Sequence, residues 1–235
     1  MRNSGLMAGA IAAVALVAVS GEANAAPCPN AALSVYTAPG FSCTEGDKTF
    51  SGFSYLVDGN SAGIIPTAAQ VAVVPLPGIQ PNGFGFTLDA IWQAPTANAI
   101  ADSTLSYTVS LAPGSGFAIT DSSVQIAASA TLLGFGSATE TLSNGASGVV
   151  SASTVIPPGE GPNAVTFPGT QSLTITKDIE AFAGPIPGGT AVISSVSDFI
   201  SQTPLVTTPE PASLTLLGSA LVGLGWFARR RRKAA

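Results

Sequence analysis

Four carboxylates in the middle of the sequence are the first candidates for chemistry: Asp89, Asp102, Asp121 and Glu140. A glycosidase needs two placed carboxyl groups, one acting as an acid and the other as a nucleophile or a base. These four mostly border turn-like stretches, where carboxylates are ordinary surface residues. We therefore predict no enzymatic activity, and keep a carboxylate-dependent glycoside hydrolase as the least favoured alternative.

Histidine is absent from all 235 residues, which excludes imidazole acid–base catalysis and His-ligated zinc or iron. Serine nucleophiles are numerous, but no Gly-x-Ser-x-Gly elbow with an activating base is present. Glu45, Asp47, Asp58 and Asn60 are conceivable calcium ligands, although the spacing of an EF-hand or RTX loop is absent. No metal site and no cofactor is predicted, with calcium kept as a minor alternative.

Four aromatic residues, Tyr36, Tyr55, Trp92 and Tyr107, are candidates for a sugar-binding face, because aromatic rings stack on the apolar faces of sugars. Tyr55 and Tyr107 fall in register with the core positions of their segments. Trp92 stands beside the turn-like pair Ala94-Pro95. Trp92 is therefore the predicted exposed platform for a sugar.

Short segments of alternating hydrophobic and polar residues, separated by Gly and Pro, must position these side chains. The clearest segment is 104–111, where Leu105, Tyr107, Val109 and Leu111 alternate with hydroxyl residues in the period of a half-buried strand. Further strands are predicted at 53–57, 70–74, 84–88, 124–133, 139–142, 173–183 and 190–200. Eight or nine short strands without a convincing amphipathic helix indicate an all-β fold, an antiparallel sandwich or jelly roll.

The pair Lys177-Asp178 interrupts the strand predicted at 173–183. Period 2 puts Lys177 on the same face as Leu173 and Ile175, where a charge is unexpected. The predicted explanation is a bulge, or an edge strand guarded by a charge. The longest loop is predicted at 155–162, which is rich in Pro and Gly.

The first 25 residues have the pattern of a secretory signal peptide. Arg2 precedes an apolar stretch at 6–19, and Ala23-Asn24-Ala25 offers small residues at the positions that a signal peptidase reads. Cleavage is predicted after Ala25, since cleavage one residue later would leave Pro27 at the new terminus. The chain is therefore expected to be exported.

The last 29 residues, 207–235, contain three features in a fixed order. The tripeptide Pro209-Glu210-Pro211 is followed by an uncharged apolar run at 212–228 and then by a basic cluster. Seventeen residues make a helix of roughly 25 Å, slightly short of a ~30 Å hydrocarbon core but able to insert. The basic cluster comprises Arg229, Arg230, Arg231, Arg232 and Lys233. By the positive-inside rule it would stay cytoplasmic, which places the preceding chain across the membrane.

This tail resembles the PEP-CTERM sorting signal of Gram-negative bacteria. The resemblance implies that an exosortase, a membrane-embedded processing enzyme, recognises Pro209, Glu210 and Pro211 and removes the helix. It also implies an association with exopolysaccharide and biofilms. Segment 41–55 resembles the beginning of one group of such proteins, and the Lys177-Asp178 segment and 197–203 resemble its closing part. That resemblance carries no catalytic residues. An ordinary permanent anchor is the alternative for the tail.

Residues 26–208 are acidic, with eleven Asp and Glu (thirteen in the chain, less Glu22 and Glu210) against Lys48 and Lys177, a net charge of 2 − 11 = −9. Nucleic acid is not a predicted partner, because phosphate binding needs clustered cations. In an exported protein the only two cysteines, Cys28 and Cys43, are most simply a disulfide, and the 16-residue loop they close implies a stabilisation of ~3 kcal/mol.

We therefore predict a signal peptide at 1–25, a secreted β-rich domain at 26–203, a linker with the Pro-Glu-Pro motif at 204–211, a transmembrane sorting helix at 212–228 and a basic cytoplasmic tail at 229–235. The predicted function is structural or adhesive, in an exopolysaccharide matrix. A carbohydrate-binding adhesin is the alternative. Predicted partners are signal peptidase, an exosortase-like enzyme, the inner membrane and exopolysaccharide. The predicted location is an inner-membrane intermediate, then the outer surface or extracellular matrix of a Gram-negative bacterium.

Overall fold

A computed structural model describes residues 25–60, 62–78, 83–143, 149–155, 163–205 and 215–222. Residues 1–24 of the predicted signal peptide, residues 156–162 of the loop predicted at 155–162, the Pro-Glu-Pro motif and the basic cluster lie outside these ranges, and Val155 is the last residue of a strand. Among the described residues between 25 and 205 the structure has twelve strands and one short helix. The strands are β1 Ala31–Ala32, β2 Ser42–Glu45, β3 Lys48–Val57, β4 Ala72–Leu76, β5 Phe84–Ala94, β6 Ile100–Leu111, β7 Phe117–Thr131, β8 Phe135–Ser143, β9 Val149–Val155, β10 Asn163–Thr170, β11 Ser172–Phe182 and β12 Thr190–Pro204.

The strands form two six-stranded antiparallel sheets. Sheet A has the order β2-β3-β6-β11-β8-β9, and sheet B has the order β1-β4-β5-β12-β7-β10. From β5 onward the chain crosses between the sheets at every step except the β8–β9 hairpin. The eight strands β5–β12 therefore have the connectivity of a jelly roll, and the first four strands widen both sheets at one edge. The predicted all-β sandwich is confirmed.

Alternation along the strands explains how the sheets face each other. Every second residue of β6 is buried, and β11 follows the same pattern from Leu173 to Ala181. The inward residues of both sheets join one core, in which Trp92 and Tyr107 are the largest aromatic members from the jelly-roll strands. Most outward positions of β6 and β11 carry Ser or Thr, and this face of sheet A also carries carboxylates at Asp102, Asp178 and Glu180.

The disulfide predicted between Cys28 and Cys43 is present, and it holds the first described residues against β2. The helix α1, Leu33–Tyr36, was not predicted, because four residues are too few to show a helical period. It buries Leu33 and Tyr36 in the same core cluster as Cys28 and Cys43.

Most strands begin or end away from the predicted positions, and the C-terminal ends of β7 and β12 are two examples. The strand predicted at 124–133 ends at Thr131, since Leu132 and Leu133 have φ angles of 50° and 66° and form the turn into β8. Leu132 is 52% exposed rather than on the core face. The strand β12 continues to Pro204 and pairs there with β7, one residue into the linker predicted at 204–211.

In the tail, residues 215–222 are helical and their large side chains are exposed. No helix among the described residues is both long and apolar enough to cross a membrane.

Candidate functional site

A cluster of ionisable side chains lies between the two sheets, in the centre of the jelly roll. Lys177 of β11 lies opposite Glu140 of β8 in the sheet A register, and its Nζ donates a hydrogen bond to Oε1 of Glu140. Asp198 of β12 reaches the same lysine from sheet B, with 3.5 Å between Lys177 Nζ and Asp198 Oδ2. The three residues are 0–1% exposed. We call Lys177, Glu140 and Asp198 the core triad.

Two hydroxyl groups complete the surroundings of the core triad. Tyr107 Oη donates a hydrogen bond to Oδ2 of Asp198, and Ser122 Oγ donates one of 2.8 Å to Oε2 of Glu140. Both oxygens of Glu140 are therefore engaged, whereas Oδ1 of Asp198 is buried without a hydrogen-bond partner among the described residues. A cavity of about 10 Å³ lies beside Lys177, Asp198 and Tyr107. That volume holds one water molecule at most, so the triad is almost dry.

Burial governs the protonation of these groups. It raises the pKa of Asp198 to about 7, with the neighbouring Glu140 carboxylate adding to the rise and Lys177 opposing it. Burial alone lowers the pKa of Lys177, but the two carboxylates outweigh it and raise that pKa above its ordinary value. The pKa of the Tyr107 phenol is raised well above its usual range by burial and by Asp198. The Asp198 carboxyl group therefore stays protonated up to a higher pH than a solvent-exposed aspartate would.

The prediction of a bulge or an edge strand at Lys177-Asp178 is wrong. The strand β11 lies between β6 and β8, and its pairing with both is continuous through Lys177. Glu140 does not border a turn either, because it lies inside β8. Sequence reasoning missed the triad because its partners are 37 and 21 residues from Lys177. A usable signal existed: Glu140 and Asp198 both occupy inward positions of alternating strands.

The other cation of the β domain, Lys48, is also buried. Its Nζ binds Gln202 Oε1 at 2.7 Å and Asp47 Oδ1 at 3.1 Å, and it lies 4.2 Å from the centroid of the Phe84 ring. Burial lowers its pKa, and Asp47 partly offsets this. Both lysines of residues 26–208 therefore lie inside the sandwich, and the outer faces of the β domain carry no lysine, arginine or histidine.

Trp92 is not an exposed platform, and that prediction is wrong. It is 0% exposed, and its Nε1 donates a hydrogen bond of 2.8 Å to Ser103 Oγ across the sheets. The physical reason is that β5 continues to Ala94, so the alternation of Phe86 and Leu88 carries Trp92 into the core. Tyr107 is also a core residue, as its register predicts, and Tyr36 is 1% exposed.

A surface groove of about 300 Å³ offers aromatic rings at a different place. Phe41 and Phe53 line it and are half-buried, with 6.1 Å between their ring centroids. The hydroxyl residues around them are Thr37, Ser42 and Ser51. Gly40 and Gly52 complete the wall in the positive-φ region that favours glycine, with φ angles of 75° and 67°. We call this the aromatic groove; no ionisable side chain lines it.

Three of the four candidate carboxylates lie apart from the core triad. Asp102 is on β6 in sheet A, Asp89 is on β5 and Asp121 is on β7 in sheet B. Burial raises the pKa of Asp102 to about 7, and Asp178 and Glu180 add to the rise. We call Asp102, Asp178 and Glu180 the outer acidic group, since they lie on the solvent face of sheet A.

The four conceivable calcium ligands are used in other ways or lie apart. Asp47 binds Lys48 and Gln202, while the Asn60 side chain binds the backbone of Asn98, Ala62 and Ile100. No group of three or more Cys, Asp or Glu placed to hold a metal ion is found in the part of the chain that the structure describes.

Residues 207–232 carry the PEP-CTERM protein-sorting motif. The match covers the predicted tripeptide, the apolar run and four of the five basic residues. The motif implies an exported protein that passes through a membrane and is processed by an exosortase-type enzyme. No curated protein sequence matches the chain significantly.

Two solved structures are similar at low identity. TmCBM61 in complex with beta-1,4-galactotriose is 12% identical, with 64% of this chain and 88% of that chain covered and a TM-score of 0.31. The enzymatically active domain of tailspike protein 4 from bacteriophage CBA120 is 15% identical, with 74% of this chain and 21% of that chain covered and a TM-score of 0.27. TM-scores this low carry no argument about the ligand or the activity of this chain.

Proposed function

We propose that this protein is a non-enzymatic structural or adhesive component of a bacterial cell surface or exopolysaccharide matrix, delivered there by its C-terminal signal. The observation that carries the proposal is the position of the sorting motif. It begins at residue 207, and the last strand of the jelly roll ends at Pro204. Delivery is then a property of the tail, and the jelly roll is the part that remains outside the cell.

The sequence of events in this proposal begins with export and removal of residues 1–25 by signal peptidase. The apolar run then holds an intermediate in the inner membrane, with the basic cluster in the cytoplasm. An exosortase-type enzyme cuts at Pro209-Glu210-Pro211 and releases the domain to the outer surface of a Gram-negative cell. Glu210 is the only charged residue of the tripeptide, so it is the group that a processing enzyme can read most specifically.

The variant Glu210→Ala tests this delivery in a host that has an exosortase. We expect wild-type protein to lose the mass of the helix and basic cluster and to leave the inner membrane, while Glu210→Ala accumulates unprocessed there. Thr208→Ala is the matched control, adjacent to the tripeptide and expected to be processed normally. Unprocessed wild-type protein retained in the inner membrane would overturn the proposal in favour of a permanent anchor.

The structural role rests on the absence of an evident catalytic pair. Of the four candidate carboxylates, Glu140 is 0% exposed and bound to Lys177 and Ser122, where no substrate reaches it. Asp102 is on the other sheet from Asp89 and Asp121. In hydrolysis assays on matrix polysaccharide, the wild-type protein and the variants Asp89→Asn, Asp102→Asn and Asp121→Asn should all show no turnover. Turnover that one of these variants abolishes would instead establish a hydrolase.

A second candidate function, carbohydrate binding, is favoured by the aromatic groove. Its two phenyl rings and three hydroxyl residues suit a pyranose, which presents apolar C–H faces and hydroxyl edges. The volume of about 300 Å³ is at the lower end of ligand sites, enough for one or two sugar units. Because the outer faces are acidic and hold no cation, we propose a neutral glycan rather than an anionic one.

Titration calorimetry with neutral oligosaccharides tests the groove directly. Phe53→Ala should reduce affinity at least tenfold, because the ring is a wall of the groove. Phe199→Ala removes an equally half-buried ring on the outer face of sheet B and should leave affinity unchanged. Binding that persists in Phe53→Ala, or no binding to any neutral oligosaccharide in a broad array, would remove this candidate without touching the sorting proposal.

A further inference from the structure

The core triad combines three groups that rarely occur together in a dry core. A primary amine lies between two carboxyl groups, all three are at most 1% exposed, and aromatic and aliphatic side chains surround them. Burying ions costs several kcal/mol each, and the mutual attraction of the pair offsets this only when every polar atom is satisfied. Here one atom is not, since Oδ1 of Asp198 has no hydrogen-bond partner among the described residues.

The positions of the atoms suit a reaction between Lys177 and Asp198. Lys177 Nζ is 3.5 Å from Asp198 Oδ2, so the carboxyl carbon is a close neighbour of the amine. Reacting groups held at about 3–3.5 Å in a fixed orientation behave as if present at effective concentrations of 10⁵ M or more. The jelly roll holds them there from opposite sides, because Lys177 is on β11 of sheet A and Asp198 is on β12 of sheet B.

We propose that Lys177 Nζ and Asp198 Cγ form an intramolecular amide bond, with Glu140 as the proton carrier, so that the two sheets are covalently joined through the core. Asp198 is the acyl partner because its Oδ1 is unpartnered and free to leave. Glu140 is the proton carrier because both of its oxygens are held, one by Ser122 and the other by Lys177 itself.

The step balances without an oxidant or a co-reactant. Glu140 takes a proton from the Lys177 ammonium, and the neutral amine attacks Cγ of the protonated Asp198 carboxyl group. The N–C bond forms, Glu140 passes its proton to the Asp198 hydroxyl, the C–OH bond breaks and one water leaves. The nitrogen then gives a second proton to Glu140, which ends as a neutral carboxylic acid, and the last of the three ammonium protons remains on the amide nitrogen. Tyr107, which donates to Oδ2, stabilises the negative charge that this oxygen acquires during attack.

The dry core favours the amide over the ion pair. In water an ammonium and a carboxylate are strongly solvated, which favours hydrolysis. In the core triad that solvation is missing, so replacing two buried ions with one neutral amide removes their desolvation cost. Expelled water has almost no space in which to remain, because the adjoining cavity is only about 10 Å³.

The first test is the mass of the wild-type protein, purified from the full-length chain, denatured and reduced. Residues 26–208 contain two tryptic sites, Lys48 and Lys177. Trypsin should cut after Lys48 but not after Lys177, whose side chain is acylated. One fragment should then extend from Thr49 past Asp198, lighter than its sequence mass by one water. Cleavage at both lysines with full sequence masses would overturn the proposal, whatever the variants do.

Variants assign the bond to its atoms. Lys177→Arg keeps the charge and a tryptic site but cannot form the bond, so it should be cut at position 177 and have its full mass. Asp198→Ala and Glu140→Gln should likewise have their full sequence mass and be cut by trypsin after Lys177. Asp178→Asn, the exposed neighbour, is the matched control and should still lose one water. Water loss that persists in Asp198→Ala would show that Asp198 is not the acyl partner and would overturn the assignment.

Discussion

The core triad and the outer acidic group both bring carboxyl groups close together, but only the core triad has a lysine between them. Each contains an aspartate whose pKa is raised to about 7 mainly by burial, Asp198 in the core and Asp102 on the solvent face of sheet A. Only the triad contains a cation, because both lysines of residues 26–208 are inside the sandwich. A raised pKa alone therefore does not distinguish an organised polar site from repulsion between carboxylates. The neighbouring groups distinguish them, since Asp198 has Lys177 beside it and Asp102 has only other carboxylates.

Removing the cation should have the largest effect. In Lys177→Met two carboxyl groups stay buried without their counter-charge, and we expect a loss of about 3–5 kcal/mol in the free energy of unfolding. Urea denaturation of the purified protein measures it. The matched variant Lys177→Met with Glu140→Gln and Asp198→Asn should regain part of this loss, because no charge is then left in the core. Equal stability of Lys177→Met and wild type would show that the triad is not organised around its lysine.

The contrast also shows what the sequence can predict. Alternation is a local property, so the strand at 104–111 and the sandwich were predictable from the pattern alone. Period 2 also placed Lys177 on the inward face, correctly. The prediction failed at the next step, where an inward charge was assigned to an edge strand, because its partners Glu140 and Asp198 come from a distant strand and from the opposite sheet. The inward positions of Glu140 and Asp198 are readable from local alternation, but which inward charges meet across a jelly roll is not.

The prediction that Trp92 is an exposed platform was wrong for a different reason. The pair Ala94-Pro95 has the composition of a turn, but the alternation of Phe86, Leu88 and Trp92 continues to the end of β5. The aromatic groove escaped prediction because its two rings, Phe41 and Phe53, become neighbours only when the β2–β3 hairpin folds. The Cys28–Cys43 disulfide and the sorting motif were predictable, since each depends on a few residues close together in sequence.

A pair of serine variants compares the inside with the outside directly. Ser122→Ala removes the hydrogen bond to Oε2 of buried Glu140, and should cost about 1–3 kcal/mol because that charged oxygen is left unsatisfied. Ser106→Ala removes a hydrogen bond of 3.3 Å to Thr176 on the outer face of sheet A, where water replaces it, and should change stability by about 0.5 kcal/mol or less. Thermal unfolding of both proteins measures the difference. Similar losses would contradict the dry character of the core triad.

The smallest expected effect concerns pH and the outer acidic group. The pKa of Asp102 is about 7 in the folded protein and about 4 when unfolded, so its favourable contribution is present below pH 4 and is lost as pH rises through 7. Asp102→Asn should therefore stabilise the protein at pH 8, by about 1 kcal/mol or less since water screens this part-exposed site. The gain should vanish at pH 4. Unfolding curves at the two pH values measure it.

The same pH series separates the two regions. An Asp198 that is bonded to Lys177 does not titrate, so Asp102→Asn should leave little dependence of stability on pH near 7. A free Asp198, whose pKa is also raised to about 7, would leave a slope of the same sign after Asp102 is removed. A large remaining slope would count against the amide bond.

The position of β12 determines how the fold would respond to mechanical load. It is a central strand of sheet B, paired with β5 and β7 along most of its 15 residues, and the sorting motif begins three residues after it ends. A pull on the tail enters the domain along the axis of β12. Extraction of this strand must then shear two hydrogen-bonded ladders at the same time instead of opening one ladder bond by bond. With Asp198 joined to Lys177, only the last six residues of β12 could be drawn out before the load reached a covalent stop.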